Sequence, residues 1–312
     1  MTLEQRIRAA EAELLGSVGL EVDERFLPLE TTGLKVRVLS HGSGPPLILL
    51  HGVSLSAATW APLLARLKGW RLLAVDLPGH GLSDGIVYRR GAVRACARRL
   101  IDDIFDALEL DRAPVVGHSL GGMFALWHAA TGAERISMLV AVGDPAVAFP
   151  GVRVRMPLSL LTVRGVGMAV LRSPSPPGVY RRLLAQGLGS AEVAAAPPSL
   201  LEALRLSAQR PQNARTIASL MHAIDRFRMP RTESVLTTSE LAAIQTPTVF
   251  IWGSDDPYLS PEAARSSIAE IEAATLYEVP SAHGPWLVNP AHCAELIQAH
   301  LSPAAAAGSP HP

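Results

Sequence analysis

The chain is predicted to fold as α/β: a mostly parallel eight-stranded sheet flanked by helices, with a helical segment inserted late in the sheet. Three observations carry this. Six short apolar runs, "PLILL", "RLLAVD", "APVVG", "ISMLVAV", "PTVFIW" and "ATLYEVP", are too dense for half-solvated strands and read as strands covered on both faces. Amphipathic stretches of helix length alternate with them, among them "SAATWAPLLARL", "RRLIDDIFDALEL", "SPEAARSSIAEIE" and "NPAHCAELIQAHL". Residues 146 to 235 break the alternation and hold no convincing buried strand.

The elements follow in order. Leu3, Ile7, Leu14 and Leu15 recur among charges, so the opening segment reads as a short amphipathic helix packed on a larger body. "EVDERFLPL" and "LKVRVLS", parted by the turn-like "ETTG", form an antiparallel edge hairpin and bring the strand count to eight. The core therefore occupies residues 1–145 and 236–302. The interval 146–235, with proline clusters "SPSPP" and "APPSL" and helical fragments "LLEALRLSAQR" and "ARTIASLMHAIDRF", is expected to form a helical cap. Residues 303–312, "PAAAAGSPHP", have no apolar periodicity and are expected to fray.

Composition narrows the classes. With 312 residues and 48% hydrophobic content the chain can bury a large core, which excludes a disordered protein. The net charge of zero gives no footprint for nucleic acid. It hides a split, however: the 146–235 interval holds twelve arginines against four acidic residues. Within it, "VRVRMPLSLLTVRGVGMAVLRS" interleaves arginine with apolar residues. Such a segment lies on a membrane surface or packs on its own core with a hydrated arginine face, and the second is the expectation here.

No run approaches the roughly 18 apolar residues of a membrane-spanning helix. "MTLEQRIRAAEAELLG" lacks the apolar centre of a signal peptide, and Cys96 and Cys293 have no motif spacing and read as buried free thiols. A cytoplasmic protein is expected.

The chemistry centres on "VVGHSLGGMF". A serine hydroxyl is a poor nucleophile until it is exposed and a base takes its proton. Gly117-His118-Ser119-Leu120-Gly121 gives G-x-S-x-G between a β-branched run and a helical stretch, the setting of a nucleophile elbow. Gly117 and Gly121, without Cβ, permit the sharp strand-to-helix turn, and His118 packs beside it.

His51-Gly52, "DLPGHGLSD" from Asp76, "GHSLGG" from Gly117, "WGSDDP" from Trp252 and "AHGPWLVNP" from Ala282 together resemble the α/β-hydrolase superfamily, over roughly residues 20 to 302. Its single-domain branch of esterases, cofactor-free haloperoxidases and C–C bond hydrolases is the most similar. The resemblance implies a triad in the chain order Ser119, Asp256, His283, and oxyanion donors at the backbone amides of Val53 and Leu120. Removing one such donor typically costs about 3 kcal/mol of transition-state stabilisation. The chemistry asks for the same set: His283 relays the proton and a buried carboxylate fixes its tautomer. Asp255, adjacent to Asp256, and Asp144, after the sixth strand, are alternative acids. Trp286 either lines the pocket or fills the core.

A serine at the elbow, where epoxide-opening and dehalogenating branches carry aspartate, points to an acyl-enzyme. A metal-independent carboxylesterase acting on small or medium esters is expected, with no cofactor. C–C bond hydrolysis, lactone hydrolysis and a catalytically silent binding protein are the alternatives. "HGVSLSAATW" is less glycine-rich than the oxyanion loop of C–C hydrolases, and Ala282 and Val288 depart from the residues common around the family histidine. His51, His80 and His118 sit among glycines without acidic or cysteine partners at ligand spacing, so no metal site is expected.

Overall fold

The structure is a computed structural model that describes residues 1–301 except 155, 157 and 174. The expected fraying tail, 303–312, lies outside the described residues.

Helix α1 (Leu3–Ser17) starts at a reciprocal cap between Thr2 and Gln5. Strands β1 (Asp23–Pro28) and β2 (Lys35–His41) form the expected antiparallel hairpin, with Asp23 opposite Ser40 and Pro28 opposite Lys35. β3 (Pro46–Leu50) and β4 (Arg71–Val75) follow, then α2 (Val93–Ala107), β5 (Ala113–His118), α3 (Leu120–Ala129) and β6 (Ile136–Val142). The inserted segment carries α4 (Val166–Arg172), α5 (Pro177–Leu188), α6 (Ser190–Ala195), α7 (Pro198–Ala208) and α8 (Pro211–Ile224). A short hairpin pairs Asp225–Arg226 with Met229–Pro230. The core resumes with β7 (Thr248–Gly253), α9 (Pro261–Ala269), β8 (Ala274–Val279) and α10 (Pro290–His300).

The eight core strands lie in the order β1-β2-β4-β3-β5-β6-β7-β8, with every pair parallel except β1–β2 and β2–β4. From β3 the chain steps to one side to form β4, then crosses back to form β5 on the other. Leu50 at the carboxyl end of β3 is therefore in register with Gly117 near the end of β5. Loops leaving these two strands diverge from a single point, where open parallel sheets place their ligands.

Both faces are covered. Leu100, Ile101 and Phe105 of α2 and Phe124 and Trp127 of α3 pack on one side. Trp60, Leu63, Trp286 and Ile297 pack on the other. Dense apolar runs such as β5, buried at all six positions, result from this double cover.

Prolines of the inserted segment begin helices. Pro177, Pro198 and Pro211 occupy first-turn positions, where a missing N–H costs nothing.

Helix α1 does more than pack by an apolar stripe. Its Glu11 reaches the wholly buried Arg37 on β2, whose Nη1 and Nη2 donate to the two Glu11 oxygens at 2.6 and 2.8 Å. Arg37 Nε donates to Asp76 Oδ2 at 2.7 Å. Asp76, directly after β4, also accepts from the amides of Ala57 and Leu82. Burial alone would raise the Asp76 carboxyl, but Arg37, helped by His51 and these amides, holds it below the usual range. "DLPGHGLSD" is thus a structural loop tied to a buried ion cluster, and α1 joins the sheet to the insertion through Glu4–Arg210 and an apolar cluster of Ile7, Leu82 and Leu206.

Candidate active site

The site forms where β3, β5, β6, β7 and β8 end. Ser119 follows β5 directly and precedes α3, with φ 47° and ψ −107°. For a residue with a Cβ this is a strained conformation, held by the surrounding packing. A Cβ on Gly121 would stand 2.2 Å from the Leu50 carbonyl oxygen, and one on Gly117 would stand 2.7 Å from the Gly122 amide. Only glycine lets α3 start so close to β3.

The His51-Gly52 loop is locked to this turn. The Gly121 amide donates to the His51 carbonyl at 3.2 Å. The His51 ring donates from Nδ1 to the Gly52 carbonyl at 2.7 Å and accepts the Leu77 amide on Nε2 at 3.0 Å. Val53 and Leu120 line the cavity in which Ser119 lies, and among the described residues the amide of neither donates to a protein acceptor.

His283 and Asp256 arrive from the loops after β8 and β7. His283 Nδ1 meets Asp256 Oδ2 at 2.7 Å, with both side chains almost wholly buried. That oxygen also accepts the Asp144 amide at 3.0 Å, and Oδ1 accepts the Tyr258 amide at 3.1 Å. With Nδ1 donating, Nε2 of His283 is left as the basic nitrogen. The imidazole is held between two rings, His118 at 4.6 Å and Tyr258 at 4.7 Å between centroids. His118 Nε2 donates to the His283 carbonyl at 3.0 Å, and burial, then His283, keeps its pKa well below the usual histidine range.

The alternative acids are placed elsewhere. Asp255 is exposed, and its amide donates to the Ser281 carbonyl. Asp144 meets Asp256 through its backbone amide. Its carboxyl borders the cavity with no hydrogen-bond partner among the described residues, and burial, reinforced by the Asp256 charge, raises its pKa well above the usual range. Trp286 fills the core rather than the pocket: fully buried, it donates from Nε1 to the Thr59 carbonyl and packs on Trp60 and His118.

His80 is likewise structural, its Nδ1 3.1 Å from the Pro78 carbonyl and its pKa lowered to about 3 by burial and by His51. Cys96 and Cys293 are free thiols; Cys293 is buried and its thiol is pushed up to about 12, whereas Cys96 is only partly buried.

Ser119, His118, His283 and Asp144 open on a cavity of about 220 Å³ whose walls come largely from the insertion. Leu158, Leu161, Leu171, Leu183 and Leu184 make it apolar. Arg205 reaches it but is already clamped by Glu202, Nε to Oε2 at 2.7 Å and Nη2 to Oε1 at 2.6 Å. Asp225, at the end of α8, also borders the cavity; its oxygens lack a hydrogen-bond partner among the described residues, and burial pushes its pKa up to about 6 against the Arg226 amide and the Arg231 charge.

One contact of the His283 loop had no sequence signal. Glu192 on α6 is buried and accepts the Ala282 amide on Oε1 at 2.6 Å, while the Leu188 carbonyl accepts the amide of His283 at 3.0 Å. The insertion therefore holds the backbone on which His283 rides.

This fold and this cluster define an α/β hydrolase. The chain belongs to that family: residues 45–289 match the family model for the alpha/beta hydrolase fold. Carboxylesterase CesB (YbfK) from Bacillus subtilis superposes with a TM-score of 0.77 at 21% identity, covering 97% of this chain and 99% of that one. A 2-hydroxy-6-oxononadienedioate/2-hydroxy-6-oxononatrienedioate hydrolase of Cupriavidus pinatubonensis is 26% identical over 265 residues, 81% of this chain and 86% of that protein. A pimeloyl-acyl-carrier-protein methyl ester esterase of Nitrosospira multiformis is 26% identical over 257 residues, 81% of this chain and 93% of that protein.

Proposed function

We propose that the protein is a serine esterase that cleaves small or medium carboxylic esters through an acyl-enzyme, with Ser119 as nucleophile, His283 as general base and acid, and Asp256 as the triad acid. The observation that carries this reading is the buried 2.7 Å contact of Asp256 with His283 Nδ1, beside a serine held at φ 47° on the same cavity.

In the proposed reaction Ser119 Oγ attacks the ester carbonyl carbon and gives its proton to His283 Nε2. Asp256 keeps the imidazole in the required tautomer and stabilises the imidazolium. The amides of Val53 and Leu120 receive the developing oxyanion. Collapse breaks the bond to the alkoxy oxygen, which leaves with the proton from His283. A water then repeats the sequence: His283 takes its proton, hydroxide adds to the acyl carbon, and Ser119 leaves with the proton restored. The chain supplies base, nucleophile and oxyanion donors, so the chemistry calls for no metal. The insertion acts as a cap whose leucines accept an apolar acyl chain.

Electrostatics favours neutral substrates. The one guanidinium among the described lining residues, Arg205, is engaged by Glu202, whereas Asp144 and Asp225 present carboxyl groups without partners. An anionic ester would be desolvated there without a counter-charge. C–C bond hydrolysis of oxo-dienedioates is the second reading, supported by the relative from Cupriavidus pinatubonensis. A panel of neutral p-nitrophenyl esters, their carboxylate-bearing counterparts, lactones and an oxo-dienoate, with Ser119→Ala as blank and a chelator arm, separates the readings. Serine-dependent turnover of neutral esters, unaffected by chelator, is expected. Dienoate cleavage above ester turnover would replace the esterase reading with the second.

A further inference from the structure

Nine large apolar side chains are exposed among the described residues, and six of them lie in the insertion: Met156, Val166, Val170, Val179, Phe227 and Met229. The elements that carry them adjoin one another. Phe227 donates its amide to Thr162 Oγ1 at 3.1 Å, and His222 Nδ1 contacts the Thr162 carbonyl at 3.1 Å, which sets the 225–230 hairpin against the turn before α4. Val166 and Val170 are one helical turn apart on α4, and Val170 also borders the cavity. The exposed apolar groups therefore sit on the same elements that wall the cavity.

The hairpin tip is strained. Phe227 and Arg228, the two central residues of the turn, have φ of 35° and 71°, a region that favours glycine or asparagine. The turn holds a phenyl ring 50% exposed, with Met229 beside it 58% exposed. Such strain persists only where the surrounding structure enforces it.

Each of these groups has an arginine within three residues along the chain. Arg153, Arg164, Arg172, Arg181, Arg182, Arg226 and Arg228 are exposed and form no ion pair among the described residues. The four acidic residues of the insertion cannot neutralise them: Glu192 and Asp225 are buried, Glu202 holds Arg205, and Glu233 holds Arg90. Apolar groups on a surface of uncompensated positive charge match the boundary of an anionic bilayer, with head-group phosphates opposite guanidinium groups and acyl chains opposite Phe227 and Met229. A hydrated arginine face, the expectation from sequence, accounts for the charges but not for the apolar side chains between them.

We propose that this face of the insertion docks the protein on anionic lipid bilayers, with the 225–230 hairpin as the inserting tip. The proposal does not depend on the esterase chemistry.

Flotation with phosphatidylcholine vesicles, with and without phosphatidylglycerol, tests it on the full chain at low and high salt. Binding to the anionic vesicles is expected, falling steeply with phosphatidylglycerol omitted or salt added. Arg226→Gln/Arg228→Gln should weaken it by roughly tenfold or more. Phe227→Ser/Met229→Ser should weaken it by roughly tenfold at low salt, with the melting temperature unchanged. Equal recovery with neutral and anionic vesicles would overturn the proposal. So would unaltered binding by the Phe227/Met229 variant, which would leave charge alone as the cause. Concentration-dependent self-association abolished by the same variant, with no vesicle binding, would assign the face to a second copy of the chain and equally overturn it.

Discussion

The backbone amide of Asp144 donates to Asp256 Oδ2, the same oxygen that contacts His283 Nδ1. Two aspartates at the ends of neighbouring strands thus hold different positions. One presents its carboxylate to the imidazole, and the other presents only its main chain to that carboxylate. Asp256→Asn should lower kcat/KM for a neutral ester by roughly 10³- to 10⁴-fold, because an amide leaves the imidazole in the wrong tautomer. Asp144→Asn keeps the amide contact and should retain activity within roughly tenfold. Steady-state kinetics of both variants checks this, and comparable losses would assign the Asp144 carboxyl a direct part.

Glu192 is expected to act on His283 at a distance, through the Ala282 amide. Glu192→Ala removes that acceptor and leaves a partly buried N–H unpaired, at a cost of about 1 kcal/mol. kcat should fall with KM nearly unchanged, and Glu192→Gln, which keeps a side-chain oxygen, should recover most of the loss. A loss in KM alone would place Glu192 in substrate binding instead.

Much of this arrangement was legible in the sequence, and the reason is local. Apolar density marked the buried strands, and G-x-S-x-G between a strand and a helix marked the turn at Ser119, because both signals lie within a few consecutive residues. Glu192, Arg37 and Trp286 were not legible in the same way. Glu192 meets Ala282 across 90 positions, and Arg37 gathers Glu11 and Asp76 from both sides of itself in the chain. No spacing rule anticipates a charge that is buried because distant segments converge on it. The choice among Asp144, Asp255 and Asp256 was likewise one of side-chain direction, which adjacency in sequence does not determine.

Asp225 gives a pH signature. Its folded pKa of about 6 lies above the ordinary 3.8, so the folded state binds this proton more tightly than the unfolded one. This proton therefore contributes about 3 kcal/mol of stability, complete below the ordinary value and lost as the pH rises through about 6. Asp225→Asn should therefore raise the melting temperature relative to wild type at about pH 8 and lose that advantage near pH 4. Thermal unfolding at the two pH values checks the sign. An advantage independent of pH would show that Asp225 is not the titrating group.

The Arg37 cluster predicts a stability loss of another kind. Arg37→Met leaves Glu11 and Asp76 buried without their common cation, which should cost about 3–5 kcal/mol. Combining it with Glu11→Leu should restore part of the loss, since one uncompensated carboxylate is removed. Urea unfolding of the single and double variants provides the cycle, and strictly additive losses would contradict the coupling.

The proposed chemistry requires Ser119 to be an activated nucleophile. Labelling with a fluorophosphonate, followed by peptide mass spectrometry, puts this requirement to the test. One phosphonate adduct is expected, on Ser119, formed at a rate that parallels loss of ester turnover, absent in Ser119→Ala and strongly slowed in His283→Ala. A folded wild-type protein that takes no label, or takes it on another residue while ester turnover persists, would contradict it.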